Sequence, residues 1–348
     1  MLWSLFGPIC VLCEATAGGM SVAGRILGAV GERERTSAAR LAGFATYGQL
    51  LATGLSRARI RVMVRRGQLS PLARGVYISA ELAERFRLVP AGATAMRAMA
   101  VLATLGPGSV ISHQTAAELH GLDLLTRPTP RVTLTRPPGL GSRSGRRDVY
   151  VHTAGLAASH VGGRFGIAVT TVPRTVVDLA RELDFAAGVV VADSALHQHL
   201  TSKRELRQVL ADCRQWPGAL RAARVIEFAD GRSESALESI ARVLFQELGL
   251  PPPELQVEIR GDDGFIGRVD FLWRQFRTIA EVDGALKYNA DPTRARAQLR
   301  RDKELRTAGY EVEHFGWHEI TRTGQRVGSS LLAAFARGRQ RGVPGSAA

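Results

Sequence analysis

Three acidic side chains interrupt two short hydrophobic segments in the last third of this chain. Asp270 lies within the apolar run Val269–Trp273, and Glu281 and Asp283 lie in the apolar run that begins after Thr278. Acidic residues are depleted in strands and are seldom fully buried without a partner. Three of them in two short apolar strands therefore call for a chemical explanation.

The two segments predict a β-hairpin that brings these acids together. The register follows if Trp273 pairs with Thr278 across the polar turn between the segments. The same register places Asp270 directly opposite Glu281, and Cβ atoms in such pairs are about 4.5–5.5 Å apart. Because side chains alternate along a strand, Asp283 shares the face of Glu281 and lies diagonal to Asp270.

Carboxylates at this separation repel each other unless a proton or a cation lies between them. Mg²⁺ takes carboxylate oxygens and keeps water at its other positions, so Asp270, Glu281 and Asp283 predict a Mg²⁺ site at which Mn²⁺ can substitute. Beside a phosphodiester, such a cation polarises the phosphoryl group and activates the attacking water. The alternative is an exposed acidic face that Arg268 and Arg277 neutralise.

The segments around the hairpin predict a helix, three strands, a second helix and a fourth strand. Apolar residues recur at helical spacing in "SESALESIARVLFQELGL", with Ser233 as the predicted N-cap and Glu238 on one face together with Glu234. The first strand is "PPPELQVEIR", and the last helix and strand are "TRARAQLRRDKELRTAGY" and "EVEHFGW".

This order resembles the PD-(D/E)XK nuclease fold, in its branch similar to very-short-patch-repair endonucleases. The segments that carry the likeness include "GRVDFLW", "AEVDG" and "RRDKELRTAGYEVEHFGWHEI", within residues 231–340. The resemblance implies Mg²⁺-dependent cleavage of DNA. It makes Glu238 the helix acid, Asp270 the central metal ligand and Glu281 the second ligand.

One position departs from the pattern of that fold. The usual lysine, two residues after the second acid, is Asp283 here, so Lys287 becomes the candidate for its role of orienting water or stabilising charge. Arg301 and Asp302 in the last helix either complete the site or lie on a solvated helix face.

A second kind of chemistry is indicated by charge. The chain of 348 residues has a formal net charge of +14, and only three of its cationic residues are lysine. Arginine is the side chain best suited to bidentate phosphate contacts, which favours a nucleic acid as the partner. Residues 36–80 contain seven arginines and no acid, whereas a solvated face normally mixes both signs.

The same block predicts a winged helix-turn-helix. Gly54 closes a short helix, Ser56 is a suitable N-cap for the basic helix "RARIRVMVRRG", and "QLSPLARGVYIS" reads as two strands around a turn. A solvated basic helix on a small helical domain is the alternative. The predicted DNA contacts are Arg57, Arg59, Arg61, Arg65, Arg66 and Arg74.

The stretch "TYGQLLATGLSRARIRVMVRRGQLSPLARGVYI" resembles the N-terminal winged helix of the AbiEi family of antitoxins, from type IV toxin–antitoxin systems. Such domains typically repress their own operon. "SHQTAAELHGL" and "VTTVPRTVVDLA" resemble the middle region of AbiEi-like proteins. The resemblance implies DNA as a partner and a cognate toxin as a second one.

Together these patterns predict a multidomain α/β (α+β) protein. The predicted parts are a leader at residues 1–35, the winged helix at 36–80, an AbiEi-like middle domain at 86–230 and the nuclease-like domain at 231–340. We expect the leader to be disordered or to result from a start site placed too early, with Met20 as the alternative to Met1, and a secretion signal is the less favoured alternative. Three cysteines make no disulfide framework and no segment is long enough to span a membrane, so a cytoplasmic location is predicted.

Two functions remain open at this stage. The favoured one is a DNA-binding protein with a Mg²⁺-dependent endonuclease domain, in defence or toxin–antitoxin biology. The alternative is a non-catalytic repressor or antitoxin whose nuclease-like domain only binds DNA or a toxin. The sequence predicts no organic cofactor and leaves the oligomeric state open.

Overall fold

The computed structural model of this chain describes residues 44–105, 108–125, 129–139, 147–262, 264–283 and 292–341. It divides into two compact units. The first holds the described residues up to Leu122 and those of Thr126–Thr175, and the second holds Asp123–Leu125 and the residues from Val176 onward. The predicted leader and the candidate Lys287 lie outside the described residues.

The first unit begins with a small three-stranded domain and continues with a five-stranded sheet. Its described elements are β1 Phe44–Thr46, α1 Tyr47–Ala52, α2 Arg57–Arg65, β2 Leu69–Ala73, β3 Val76–Ser79, α3 Ala80–Arg87, α4 Gly92–Leu102, β4 Val110–Ile111, α5 His113–His120, β5 Val132–Arg136, β6 Val149–Thr153, β7 Val161–Arg164 and β8 Ile167–Thr170. Helix α6, Val172–Glu182, starts in this unit.

The small domain has the elements that the sequence predicts for a winged helix-turn-helix. Gly54 follows α1 with a φ of 92°, a left-handed conformation that glycine adopts readily. Ser56 caps α2 by accepting the N–H of Arg59 at 3.2 Å. Strands β2 and β3 form the predicted antiparallel hairpin, and β1 pairs with β3 on its other side.

The five-stranded sheet has the order β6-β5-β4-β8-β7. It is mixed: β4 pairs antiparallel to β5 and parallel to β8, while β5 and β6 are parallel. Helices α3, α4 and α5 contribute buried residues to the core on this sheet, among them Phe86, Met99 and Leu119. The apolar faces of these helices therefore account for the burial of the central strands.

The second unit consists of helices around a four-stranded sheet. Its described elements are α7 Phe185–His197, α8 Lys203–Asp212, α9 Ala219–Phe228, α10 Ala236–Glu247, β9 Glu254–Gly261, β10 Gly264–Trp273, β11 Thr278–Asp283, α11 Pro292–Thr307, β12 Glu311–Gly316, α12 Trp317–Arg322 and α13 Gly324–Arg341. None of the described helices in either unit is long and apolar enough to cross a membrane.

From α10 to β12, the elements follow the predicted order of helix, three strands, helix and strand. The sheet order is β12-β11-β10-β9, with β9, β10 and β11 antiparallel and β12 parallel to β11. Apolar residues fill both faces of the sheet: Phe245, Phe271 and Trp273 belong to one core, and Leu305 of α11 belongs to a second. The sheet is therefore covered on both sides.

The predicted hairpin register is confirmed. Trp273 pairs with Thr278, Leu272 with Ile279 and Phe271 with Ala280. The predicted start of α10 is wrong by two residues, because Ser235 and not Ser233 caps the helix. The Ser235 hydroxyl accepts the N–H of Glu238 at 3.2 Å.

Candidate functional site

The first candidate site is the exposed side of α2. Ile60 and Met63 are buried in the core of the small domain and fix the orientation of the helix. All six predicted DNA contacts are exposed, and we call them the arginine face: Arg57, Arg59, Arg61, Arg65, Arg66 and Arg74. Within the part of the chain that the structure describes, none of the six forms an ion pair. Six exposed guanidinium groups make this side of the domain a candidate surface for an anionic ligand.

The second candidate site lies on the four-stranded sheet and is called the acid site. It comprises Glu238 on α10, Asp270 on β10, Glu281 and Asp283 on β11, Asp302 on α11 and His314 on β12. Several of these residues are far apart in sequence. The sheet register and the crossing of α11 bring them together.

Asp270 interrupts the backbone ladder of its own hairpin. The pairing of β10 with β11 runs from Trp273 to Phe271, and one residue further Asp270 Oδ2 accepts the N–H of Val282 at 3.0 Å. The carboxylate thus takes the place of a backbone acceptor. This contact fixes the side chain against β11, on the side where Glu281 lies.

Gln256 on β9 connects two of the acids. Its Nε2 donates to Glu238 Oε2 at 2.9 Å and to Asp270 Oδ1 at 3.3 Å. Its φ of 52° is unusual for a strand residue other than glycine. Backbone strain of this kind costs about 1–3 kcal/mol and is found most often at functional sites.

Glu281 is buried, with 6% of its surface exposed, and its charge is balanced by Arg301 from α11. Arg301 Nη1 donates to Glu281 Oε2 at 3.1 Å, and Nη2 lies 2.7 Å from Oε1 without hydrogen-bond geometry. Arg301 also donates to the carbonyl of Arg268. A Cβ at position 267 would collide with the Arg301 side chain, so Gly267 leaves room for it.

The arginines that the sequence offers as neutralising partners of the acids are engaged elsewhere. Arg268 pairs with Glu234 at 2.7 Å. Arg277 donates to the carbonyls of Ala308 and Gly309. Arg301, whose place in the site the sequence leaves open, pairs with Glu281, and Arg306 lies 3.8 Å from Asp302.

Asp302 and His314 complete the site. His314 Nε2 lies 2.9 Å from Asp302 Oδ2, and His314 Nδ1 lies 4.0 Å from Asp283 Oδ2. Gln298 donates to Asp302 Oδ1 at 3.1 Å and to Glu281 Oε2 at 3.2 Å. Asp302 therefore lies in the site and not on a solvated helix face.

Burial raises the pKa of three acids in this site. For Glu238, the nearby charge of Asp270 adds to the effect of burial on the pKa. The pKa of Asp270 is also raised by burial, against the hydrogen bond from Val282. Burial raises the pKa of Glu281 despite the opposing charge of Arg301. Each carboxylate would thus gain from additional positive charge nearby.

The residues present fit a divalent cation by donor type. The donors are carboxylates, and Glu281 Oε1 is buried without a hydrogen bond of acceptable geometry. The negative charge of Asp270 raises the pKa of Glu281, and a cation between the two carboxylates would offset this repulsion. In the described structure, however, no three ligand atoms of the acid site lie within 4.8 Å of one another.

Three residues of the site escape sequence reasoning: Gln256, Gln298 and His314. The signal for His314 is the register, because it pairs with Glu281 in the parallel β11–β12 ladder. Gln256 lies between Leu255 and Val257, which pair with Phe271 and Val269 on either side of Asp270. If the predicted strand pairing is extended across all four strands, it places Gln256 and His314 in the site. The position of Gln298 depends instead on where α11 crosses the sheet.

Comparisons with known proteins add a partial identification. Residues 32–80 match a family model described as "Transcriptional regulator, AbiEi antitoxin", which confirms the resemblance of this segment. Two relatives from Mycobacterium tuberculosis strains, "Uncharacterized protein MT2308" and "Uncharacterized protein Rv2248", are each 31% identical over 263 residues, covering 76% of this chain and 88% of the relative.

The chain is also similar to a solved structure. The crystal structure of the RV2827C protein from Mycobacterium tuberculosis is 17% identical and covers 53% of this chain and 71% of that chain, with a TM-score of 0.34.

Proposed function

We propose that this chain, which belongs to the family of the uncharacterized mycobacterial proteins MT2308 and Rv2248, is a DNA-binding transcriptional regulator. The observation that carries the proposal is the arginine face. Six exposed arginines, without ion pairs among the described residues, lie on the segment that matches the AbiEi regulator model. Arginines in this state release counterions from DNA and contact its phosphates.

The placement of the arginines suits a DNA duplex. Arg57, Arg61 and Arg65 recur every four residues and therefore share one face of α2. Arg74 lies in the turn between β2 and β3, where a wing would meet the backbone or the minor groove. The helix is thus the element that enters the major groove, and Arg74 supports it from the side.

Specific binding to its own control region is the expected result for a regulator. The full-length chain is titrated against the DNA upstream of its own gene and against a shuffled duplex of equal length. We expect binding to the upstream DNA to be at least about tenfold tighter at physiological salt. Equal affinity for both duplexes would contradict a regulator that recognises an operator at this region.

The acid site favours a second function. We propose that it hydrolyses DNA phosphodiester bonds with Mg²⁺, for which Mn²⁺ substitutes. The proposal is supported by Asp270, which accepts the N–H of Val282 next to Glu281 on β11, and by Gln256, which donates to both Glu238 and Asp270. Asp270 and Glu281 would hold the cation, which supplies polarisation of the phosphate and activation of water when bound.

The chain's own residues have assignable roles in that reaction. Gln256 orients the carboxylates of Glu238 and Asp270 through its amide. The Val282 N–H fixes Asp270 against the neighbouring strand. Arg301 brings a positive charge to the site, which favours the approach of a phosphate. These roles leave position 283 without the lysine that is usual in the PD-(D/E)XK pattern.

Cleavage of plasmid DNA with and without Mg²⁺ tests the second function. Nicking by the wild-type chain, lost on Asp270→Asn and on Glu281→Gln, is the expected result. Asp262→Asn is the matched control, because Asp262 is an exposed acid on the turn between β9 and β10. If no duplex or single strand is cut while the upstream DNA is still bound, the nuclease proposal fails and the non-catalytic regulator remains.

A cognate toxin is the second partner we propose, because the matching family model is described as an antitoxin. Co-expression with neighbouring genes and purification of the complex tests it. A neighbouring gene product that is toxic alone and harmless beside this chain is expected. Unchanged toxicity of every neighbour would remove the antitoxin role.

A further inference from the structure

We infer that Asp283 and His314 form a binding site for a transition-metal ion such as Mn²⁺ or Zn²⁺. This site differs from the Mg²⁺ ligands proposed above, since it uses a nitrogen donor and does not include Asp270. The inference does not require that the chain cleave DNA. It rests on an unpartnered ring nitrogen, a facing carboxylate and a supporting aspartate.

His314 is presented to the acid site by the sheet. It lies on β12 as the register partner of Glu281, so the two side chains are on the same face. Its Nδ1 is buried and has no hydrogen-bond partner among the described residues. A buried ring nitrogen without a partner loses its interaction with water, and binding of a ligand restores it.

Asp283 provides an oxygen in front of that nitrogen. Asp283 Oδ2 lies 4.0 Å from His314 Nδ1, which is too far for a hydrogen bond. Metal–nitrogen and metal–oxygen bonds are about 2.0–2.2 Å long, so two ligands of one ion are about 3–3.5 Å apart at tetrahedral or octahedral angles. The observed separation exceeds this distance by about 0.5–1 Å, which a bound ion would have to close.

The other ring nitrogen is held as a metal-ligating histidine requires. His314 Nε2 lies 2.9 Å from Asp302 Oδ2, and Asp302 is itself buried and receives a hydrogen bond from Gln298. Metal-binding histidines nearly always donate their second N–H to a carboxylate, carbonyl or water, which fixes the tautomer. In the tautomer that donates from Nε2 to Asp302, Nδ1 is the acceptor on the side of Asp283.

A mixed nitrogen and oxygen donor set selects the class of ion. Imidazole suits Zn²⁺ and other transition metals, whereas Mg²⁺ prefers oxygen donors. Among the described residues no third acidic or histidine ligand atom lies within 4.8 Å of both donors, so water would complete the coordination of the ion. Asp283, at the position where the nuclease pattern has lysine, would then act as a metal ligand together with His314.

Electron spin-echo spectroscopy of bound Mn²⁺ tests the inference on the full-length, tag-free chain. A nitrogen-14 modulation from a coordinated imidazole is expected in the wild type and should disappear in His314→Gln. His318→Gln is the matched control, because His318 is exposed four residues further along and should leave the modulation unchanged. A modulation that survives His314→Gln would overturn the assignment.

Two further variants keep the test decisive if His314→Gln fails to fold. Asp283→Asn should weaken Mn²⁺ binding by at least about tenfold in calorimetry, and Asp302→Asn should weaken it by about 10–100-fold, as for other carboxylates behind a ligating histidine. Unchanged Mn²⁺ affinity in both variants would overturn the inference, because residues other than Asp283 and His314 would then hold the bound ion. Both measurements follow Mn²⁺ binding alone, so their results do not depend on whether the chain binds or cleaves DNA.

Discussion

The arginine face carries exposed positive charge, whereas the acid site carries buried negative charge. The six arginines of the first unit are exposed and have no ionic partner among the described residues, so water and salt screen them until a ligand arrives. In the acid site of the second unit, Glu238, Glu281 and Asp302 are buried and are held by side chains from neighbouring elements. The first site is recognisable from composition, whereas the second depends on tertiary structure.

This contrast implies that salt and the substitution of charged residues affect the two sites differently. Exposed charges contribute little to the stability of the fold and much to binding a polyanion. Buried acids reduce the stability of the fold unless they are paired, and they are retained where a ligand needs them. The following predictions test that difference, beginning with the largest expected effect.

The largest effect is expected from salt. If all six arginines contact phosphates, DNA affinity should fall by about a thousandfold between about 50 and 200 mM salt, because counterion release steepens with each contact. Anisotropy titrations at several salt concentrations measure the slope. Urea unfolding at the same concentrations should change little, since Glu281, the acid of the Glu281–Arg301 pair, is buried and weakly screened by salt. An affinity independent of salt would contradict the proposed interface.

Arg301→Gln should have the next largest effect, on the stability of the fold. It leaves the buried Glu281 charge unpaired, and we expect a loss of about 2 kcal/mol, below the full cost of a broken buried pair because Arg301 is 24% exposed. Urea unfolding measures it. Arg300→Gln, an exposed neighbour with the same change in charge, is the control. The double variant Glu281→Gln/Arg301→Gln should recover most of the loss, and no recovery would contradict the pairing.

Asp270→Asn should raise the stability of the metal-free chain at neutral and higher pH. Burial raises the pKa of Asp270, so the folded state holds a proton more tightly than the unfolded state. Its contribution to stability therefore falls as pH rises from the ordinary carboxyl pKa through the raised one. We expect a gain on the order of 1 kcal/mol, the size of a typical point-mutation effect, that disappears in acid. Destabilisation at every pH would indicate a purely structural role.

Gly267→Ala should have the smallest effect, and only while Arg301 is present. The added methyl collides with the Arg301 side chain, which is flexible enough to move, so a cost of about 0.5–1 kcal/mol is expected. Thermal unfolding in both backgrounds forms a double-mutant cycle. An equal cost in the Arg301→Gln background would show that the glycine serves another purpose.

Much of the fold was within reach of the sequence, because its signals are local. A few adjacent residues are enough to predict that Ser56 caps α2, that α1 ends before Gly54 and that Trp273 pairs with Thr278. The start of α10 was misplaced because two serines compete, and only the hydroxyl geometry of Ser235 decides between them.

The partners within the acid site were harder to predict. Arg301 reaches Glu281 because α11 crosses the sheet at one particular angle, and a sequence does not carry that angle. Gln256 reaches two acids from a left-handed backbone conformation that propensity argues against. Lys287 lies outside the described residues, so its predicted role stays a prediction.

The most direct test of the proposed regulator is one DNA titration performed on three proteins in the presence of EDTA. The upstream DNA is titrated with the wild type, with Arg57→Gln/Arg61→Gln/Arg65→Gln, and with Asp270→Asn/Glu281→Gln. The arginine variant should bind at least about a hundredfold more weakly at low salt, while the acid variant should bind as tightly as the wild type. Wild-type affinity in the arginine variant would contradict the claim that α2 is the DNA-binding element.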